Sequence, residues 1–213
     1  MLFIEVFAPQ GALGAEGREL LATRLVELDD GVDRGEYHPE SVEENSRAYT
    51  QVVVHEPLTW FAGEHKVGAD WPQRYAVRVR LPSPWVKEAA GEFVERYNRI
   101  VANTVRNVRG PGAEPQVWVE VHGVREGTLG LDGQVMGSEA ITRLFTGSWR
   151  ESVEGRGPVP GPEPGTVHCP VCSMVVKLDG SAITLDHEGD VYGYCSKHCR
   201  KAHAEELGVP VPA

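Results

Sequence analysis

The sequence predicts an α+β protein in two parts, a four-stranded sheet with two helices on one face and a small cysteine-rich module. Three observations lead to this prediction. A strand–helix–strand pattern occurs twice in the first 150 residues, residues 154–166 are rich in proline and glycine, and the four cysteines all lie between positions 169 and 199. Since alternating proline sustains neither a helix nor a central strand, we predict a domain at 1–150, a linker at 154–166 and a module at 167–213.

The first strand–helix–strand unit begins with the apolar strand LFIEVF at 2–7, which a turn follows. Residues 15–28 then place leucines at helical spacing, and the β-branched run TQVVVHEP at 50–57 predicts the second strand. The leucines of the predicted helix are Leu20, Leu21, Leu25 and Leu28. We expect the polar segment 30–48 to be a loop or a short helix.

The second unit repeats this order. Residues 75–81 alternate between apolar and polar side chains, as a half-buried strand does, and QVWVEVHGV at 116–124 is the closing strand. Between them, Ser83 is predicted to cap a helix with its hydroxyl, with Pro84 in the first turn. The apolar stripe of that helix contains Val86, Ala90, Phe93, Tyr97, Ile100 and Thr104.

Two such units with right-handed crossovers form a sheet whose helices both cover the same face. The other face needs a cover of its own, and we expect a partner subunit there, so that the chain forms a homo-oligomer. Arg78 and Arg80 lie together on one face of their strand. They are either solvated side chains or clamps for a substrate carboxylate.

The charge of the chain limits its partners. The 213 residues carry a formal net charge of −10, which offers no attraction to nucleic acid or anionic lipid. No segment approaches the roughly 20 apolar residues that cross a bilayer, and the opening MLFIEVFAPQG has the pattern of a strand rather than a signal peptide. We therefore expect a cytoplasmic protein that binds neither nucleic acid nor a membrane.

The four cysteines form two pairs, Cys169 and Cys172 in a C-x2-C pattern and Cys195 and Cys199 in a C-x3-C pattern, with 22 residues between the pairs. Each pair suits one half of a tetrahedral metal site, and a hairpin with its turn at Asp186–Asp190 brings the halves together. In a reducing compartment such cysteines are more often metal ligands than disulfides, which are the alternative. We predict a zinc-knuckle or treble-clef-like domain that holds Zn²⁺, with Cu(I) or another soft metal as further options.

The second cysteine pair is predicted to begin a helix, with Cys195 and Cys199 on one helical face. The positive end of a helix lowers the pKa of a thiol and favours the thiolate that a metal requires. Four nearby histidines either replace a thiolate or have no role in the site, namely His168, His187, His198 and His203. Met174 is either a soft ligand or, as we expect, a packed side chain of the small core.

So small a module has few apolar side chains with which to stabilise itself. The candidates for its core are Val171, Val175, Ile183, Leu185, Val191, Tyr192 and Tyr194. A structural zinc site contributes roughly 10–16 kcal/mol of apparent binding energy in small peptides. We therefore predict that the module is disordered without its metal.

Two stretches of the first domain, FIEVFAPQGALGAEGRELLATRL near the amino end and VWVEVHGVREGTLGLDG at 117–133, resemble the tautomerase superfamily, which includes 4-oxalocrotonate tautomerase and macrophage migration inhibitory factor. The first is similar to that family's opening strand, turn and helix. The second is similar to its second strand and the glycine-containing hairpin segment after it, of which 52–63 is a shortened version. The resemblance covers about residues 1–145 and implies a trimeric or hexameric scaffold.

The same family uses an amino-terminal proline as its catalytic group. This sequence has Leu2 after Met1, and leucine there blocks removal of the methionine, so the terminal group is the primary amine of Met1. Gln51 and Trp118 occupy the positions where the family has a substrate-binding arginine. The catalytic candidates that remain are Met1, Arg78 and Arg80.

The module resembles the YHS and TRASH families of metal-associated domains, on the segments CSM at 172–174 and YCSKHC at 194–199. Cys169 is an added ligand beyond their three-cysteine pattern. Those families occur in heavy-metal sensing and trafficking. The two resemblances together imply a metal-binding protein with a structural, sensing or metal-handling role. The alternative is an isomerase or lyase of the tautomerase superfamily, acting on a small carbonyl acid, whose metal module is structural.

Overall fold

The predicted strands and helices lie close to their expected positions in the computed structural model, which describes residues 2–32, 38–70 and 73–210, with the backbone alone at Glu88. Within these residues, every helix is too short or too polar to span a bilayer. In chain order, the elements are β1 (Phe3–Phe7), α1 (Gly14–Glu27), α2 (Glu40–Ala48), β2 (Gln51–His55), β3 (Phe61–Ala62), β4 (His65–Lys66), β5 (Arg74–Pro82), α3 (Ser83–Arg109), β6 (Gln116–Val124), β7 (Leu129–Leu131), β8 (Gln134–Met136), α4 (Ser138–Val153), β9 (Thr166–His168), β10 (Val175–Lys177), β11 (Ile183–His187), β12 (Asp190–Tyr194) and α5 (Lys197–Leu207).

These elements form two compact units. The described residues of Met1–Asp33 and Tyr49–Ser138 make up the first unit, and those of Arg34–Ala48 and Glu139–Ala213 make up the second. Helix α2 and nearly all of α4 therefore belong to the unit that contains the four cysteines. The polar segment before β2, expected to be a loop or a short helix, contributes α2 to that unit.

The first unit contains the predicted four-stranded sheet, with the strand order β2-β1-β5-β6. β1 and β2 run parallel, as do β5 and β6, because a helical crossover connects the strands of each pair. The central strands β1 and β5 are antiparallel, with Glu5 opposite Arg78. Two β-α-β units thus meet in the middle of a mixed sheet. A short hairpin follows each unit's second strand, β3–β4 after β2 and β7–β8 after β6.

Helices α1 and α3 cover one face of this sheet. Leu21 and Leu25 of α1 and Ile100 of α3 are fully buried with the inward-facing side chains of β1 and β5. Leu20, predicted for the same stripe, is 37% exposed because it points away from that face. Leu28 follows the last residue of α1 in a left-handed conformation (φ 54°) and packs against the core.

Helix α3 begins differently from the prediction. Pro82 is the N-cap, Ser83 is the first helical residue, and no described side chain caps the helix with a hydrogen bond. The reason is that β5 continues to Pro82, so the helix follows the strand directly. The Ser83 side chain instead lies against β6, where a Cβ on Gly123 would come within 2.9 Å of its hydroxyl oxygen.

The proline- and glycine-rich stretch 154–166 lies in the second unit. The backbone nitrogen of His168 donates to the carbonyl oxygen of Val159 at 2.8 Å, which joins this stretch to β9. Its role as a linker between domains at 1–150 and 167–213 stays a prediction.

The second unit contains two small antiparallel pairs, β9 with β10 and β11 with β12. His187 lies opposite Asp190 at the end of the longer hairpin. Glu188 and Gly189 between them have φ of 54° and 92°, the conformation of a two-residue hairpin turn. The hairpin predicted between the two cysteine pairs is therefore present.

The buried contacts of α3 lead to a stability prediction. Because Ile100 is fully buried, Ile100→Ala should lower the free energy of unfolding of the first unit by about 2–5 kcal/mol. Val94 lies on the same helix but is 41% exposed, and Val94→Ala should cost less than about 0.5 kcal/mol. Urea denaturation followed by circular dichroism measures both. Equal effects of the two substitutions would contradict the described packing.

Candidate metal site

The four cysteines meet in one cluster. The Sγ atoms of Cys169, Cys172, Cys195 and Cys199 all lie within 4.8 Å of one another. Cys172 and Cys195 are 3.2 Å apart, and Cys195 and Cys199 are 3.6 Å apart. A tetrahedral site with Zn–S bonds of about 2.3 Å requires sulfur atoms about 3.8 Å apart, which lies within this range. All four thiols are free, so the disulfide alternative is wrong.

The first cysteine pair lies on the turn between β9 and β10. The backbone nitrogen of Cys169 donates to the carbonyl oxygen of Met174, and that of Ser173 donates to the carbonyl oxygen of Cys169, both at 2.8 Å. Ser173 has a φ of 64°, which is uncommon for a residue with a side chain, and it is fully buried. This tight turn directs both of its sulfur atoms to one side.

The second pair is arranged differently from the prediction. Cys195 comes directly after β12 and before Ser196, the N-cap of α5, whose backbone is extended. Only Cys199 lies in the helix, where its backbone nitrogen donates to the hydroxyl oxygen of Ser196 at 3.2 Å. The prediction that both cysteines share a helical face is therefore wrong, because serine is a preferred N-cap and the helix starts after it. The two sulfur atoms still converge.

Contacts among the thiols shift pKa values within the cluster in opposite directions. Contact with the thiols of Cys172, Cys195 and Cys199 lowers the pKa of the Cys169 thiol far below its ordinary value. The same contacts, with burial, raise the pKa of Cys172 and Cys195. The thiols of a four-cysteine site must lose their protons when a metal binds, so a cation would compete with protons here.

The histidines near the cluster bind other groups. His168 donates from Nδ1 to the carbonyl oxygen of Ser173 at 2.6 Å. His203 Nδ1 lies 2.7 Å from the hydroxyl of Tyr194, and burial lowers the pKa of this histidine. Within 2–32, 38–70 and 73–210, the four cysteines are the one group of three or more side chains arranged to hold a metal ion. His187 and His198 are not part of it.

The residues packed around the cluster correct the predicted core. Val176 is buried in place of Val175, and Val191 is 44% exposed. Met174 is 41% exposed, so it is not the packed side chain that we expected. The buried cluster contains Val167, Cys169, Val171, Val176, Leu185, Tyr194, Cys199 and Ala204.

Sequence reasoning missed two side chains that contact the first cysteine turn. His38 Nδ1 lies 2.9 Å from the hydroxyl oxygen of Ser173, and burial lowers the pKa of His38. Thr146 of α4 donates from its hydroxyl to the carbonyl oxygen of Val171 at 3.2 Å. His38 is 135 residues from its partner, and no pattern in the sequence connects such distant positions.

The two arginines of the sheet face are paired with carboxylates. Arg78 Nε donates to Glu120 Oε2 at 3.0 Å, and the Arg80 guanidinium lies 2.8 Å from Glu5 Oε2. Each guanidinium also lies over a phenylalanine ring of β1, at 5.2 and 5.5 Å from the ring centroid. These contacts favour surface residues over a substrate clamp. Met1, the third catalytic candidate, lies outside the described residues.

Other polar residues of this face join the same networks. His122 Nε2 lies 2.9 Å from Glu120 Oε2, and Trp118 Nε1 donates to Glu120 Oε1 at 3.0 Å. The hydrogen bond with His122 is the largest of several effects that lower the pKa of Glu120. In the other β-α-β unit, His55 Nε2 lies 3.3 Å from Glu5 Oε1. Each unit thus pairs a histidine with a glutamate.

The fold of this chain is similar to those of several solved structures. No protein-family model matches the chain, and no curated protein matches its sequence. A macrophage migration inhibitory factor-like protein from Entamoeba histolytica is 9% identical, with a TM-score of 0.43 over 63% of this chain and 98% of that chain. N1, a member of the cis-3-chloroacrylic acid dehalogenase family, is 15% identical, with a TM-score of 0.48 over 70% of this chain and 91% of its own.

A third solved structure, a fused 4-OT in the form of a symmetric trimer, is 16% identical, with a TM-score of 0.42 over 65% of this chain and 97% of that chain. These neighbours are members of the tautomerase and macrophage migration inhibitory factor superfamily.

Proposed function

We propose that this chain is a metal-binding protein whose four cysteines hold one ion, with Zn²⁺ as the first choice. The observation that carries the proposal is the convergence of four free thiols within 4.8 Å, from two segments that are far apart in sequence. Four thiolates around one ion suit Zn²⁺ best, and Cu(I) or another soft metal is the second choice. Cys169, Cys172, Cys195 and Cys199 would be the ligands.

A structural or sensing role fits this site better than hydrolytic catalysis. A catalytic zinc keeps one coordination position for water or substrate, whereas four thiolates fill a tetrahedral site. Cys169 is fully buried and Cys199 nearly so, which limits the access of a substrate to the sulfur atoms. The resemblance of the cysteine segments to YHS and TRASH domains adds sensing or handling of heavy metals to the proposal.

The first unit serves in this proposal as a tautomerase-like scaffold that assembles into a homo-oligomer. The order β-α-β, β-α-β and the mixed sheet that it forms agree with the sequence resemblance. The sheet face opposite the helices carries Trp118, which is 67% exposed, and Val53, which is 37% exposed. An exposed tryptophan on a sheet is a good anchor for an interface. A cytoplasmic location completes the proposal.

Metal analysis of the full chain, purified without added metal, tests the proposed function. Tightly held zinc at about one ion per chain supports a structural site. Exchangeable copper or mercury below one ion per chain supports metal handling. A chain that contains no metal and binds neither zinc nor copper in a competition with a chelator would overturn the proposal.

The proposed assembly predicts the effect of a charge on the sheet face. Trp118→Glu places a second carboxylate beside Glu120 and should convert the oligomer to a monomer of 23.3 kDa. Light scattering after size-exclusion chromatography measures the mass. Leu58, which is 77% exposed in the same unit but lies outside the sheet, supplies the control, and Leu58→Glu should remain oligomeric. A monomeric wild type, or a Trp118→Glu variant of unchanged mass, would contradict the assembly.

A further inference from the structure

The turn that carries Cys169 and Cys172 depends on Ser173, whose polar groups are all bonded. Its backbone nitrogen donates to the carbonyl oxygen of Cys169 at 2.8 Å, and its own carbonyl oxygen accepts from His168 Nδ1 at 2.6 Å. Its hydroxyl pairs with His38 Nδ1 at 2.9 Å. Of these three bonds, only the last comes from a distant part of the chain.

Ser173 is held in a conformation that it would not adopt freely. Its φ of 64° lies in the left-handed region, which is unfavourable for a residue with a Cβ. The surrounding bonds compensate for this cost, and the bond to His38 is the one that fixes the hydroxyl. Since Ser173 follows Cys172 directly, a change in its backbone angles would move the Cys172 sulfur away from the other three.

The elements that precede the cysteines reinforce this arrangement. Thr146 of α4 shares its hydroxyl proton between the carbonyl oxygens of Val171, at 3.2 Å, and Thr142, at 2.9 Å. Asn45 of α2 donates from Nδ2 to the carbonyl oxygen of Phe145 at 3.0 Å, which ties α2 to α4. His38, which contacts Ser173, lies just before α2. Helices α2 and α4 together therefore hold His38 against the cysteine turn.

We propose that His38 is a positioning residue of the metal site, which holds the Cys172 sulfur in place through the hydroxyl of Ser173. This inference rests on the proposed function, because it describes the surroundings of that same metal. It adds that the site is completed by a segment more than a hundred residues before the first cysteine. Partners of this kind, beyond the ligands themselves, typically contribute 10- to 100-fold to metal affinity.

The experiment measures zinc affinity by chelator competition, and the absorption spectrum of the Co²⁺-loaded protein, in variants of the full chain. His38→Ala should weaken zinc binding about 10- to 100-fold and alter the thiolate-to-cobalt bands. His38→Asn keeps a hydrogen-bonding group near the position of Nδ1 and should recover most of the affinity. His187→Ala removes a histidine of the β11–β12 hairpin in the same unit and should bind zinc as the wild type does.

A double-mutant cycle tests whether His38 acts through Ser173. If it does, His38→Ala with Ser173→Ala should lose no more affinity than His38→Ala alone. Losses that multiply would overturn the inference, as would a His38→Ala variant within twofold of the wild type or one that loses no more than His187→Ala. A wild-type chain that binds no metal at all would instead refute the proposed function, so the two failures are distinguishable.

Discussion

Replacing Cys169 by serine should reduce zinc affinity about 100- to 1000-fold. Cys169 is fully buried, and its sulfur atom lies within 4.8 Å of those of the other three cysteines, so its loss opens the cluster from the inside. A structural zinc site has an apparent binding energy of roughly 10–16 kcal/mol, and one quarter of it corresponds to two or three factors of ten. Chelator competition with the purified full-length variant measures the loss.

The matched control is Met174→Ser, which removes the thioether sulfur that follows the first cysteine pair in sequence. Met174 is 41% exposed and is not part of the cluster, so this variant should bind zinc within about twofold of the wild type. If Met174→Ser lost as much affinity as Cys169→Ser, the ligand set would include the thioether. If Cys169→Ser kept wild-type affinity, the four-cysteine site would be wrong.

Removal of the metal should unfold the cysteine-bearing part of the second unit while the sheet of the first unit stays folded. The strands β9–β12 are three to five residues long and pack on a small buried cluster. So few apolar contacts leave metal ligation as the main source of their stability. We expect chelation to speed amide hydrogen exchange in β9–β12 and α5 by at least about 1000-fold.

The internal control for this experiment is the amides of β1, β5 and β6, which pack on the helix-covered core of the first unit. Their exchange should change little on chelation, because the four proposed ligands all lie in the second unit. Unchanged protection of β9–β12 after complete metal removal would contradict the role given to the metal. Equal loss of protection in both units would show that the metal supports the whole chain rather than one unit.

Local patterns in the sequence predict the sheet well. The alternation along 75–81 and the helical stripe that includes Tyr97 and Ile100 reflect which side chains face the core, and both occur as expected. The cysteine spacing likewise predicts a cluster, because two short-range pairs joined by a hairpin can meet in few other ways. Prediction succeeds where the cause lies within a few neighbouring residues.

The features that the sequence did not predict depend on tertiary packing. Ser83 has the residue type of an N-cap, but β5 continues up to it and displaces the start of the helix. The membership of α2 and α4 in the cysteine-bearing unit, and the contact of His38 with Ser173, depend on packing between segments far apart in sequence. Neither feature produces a periodic pattern in the sequence. Met174 directly follows the buried Ser173, yet the reversal of the chain at Ser173 leaves it exposed.

X-ray absorption spectroscopy at the zinc edge is the most direct test of the claim that four sulfur atoms surround one ion. The wild-type protein, loaded with one zinc ion per chain, should show a first shell of four sulfur neighbours at about 2.3 Å. A first shell with two or fewer sulfur atoms and the remainder nitrogen or oxygen would contradict the account, whatever the affinity of the site.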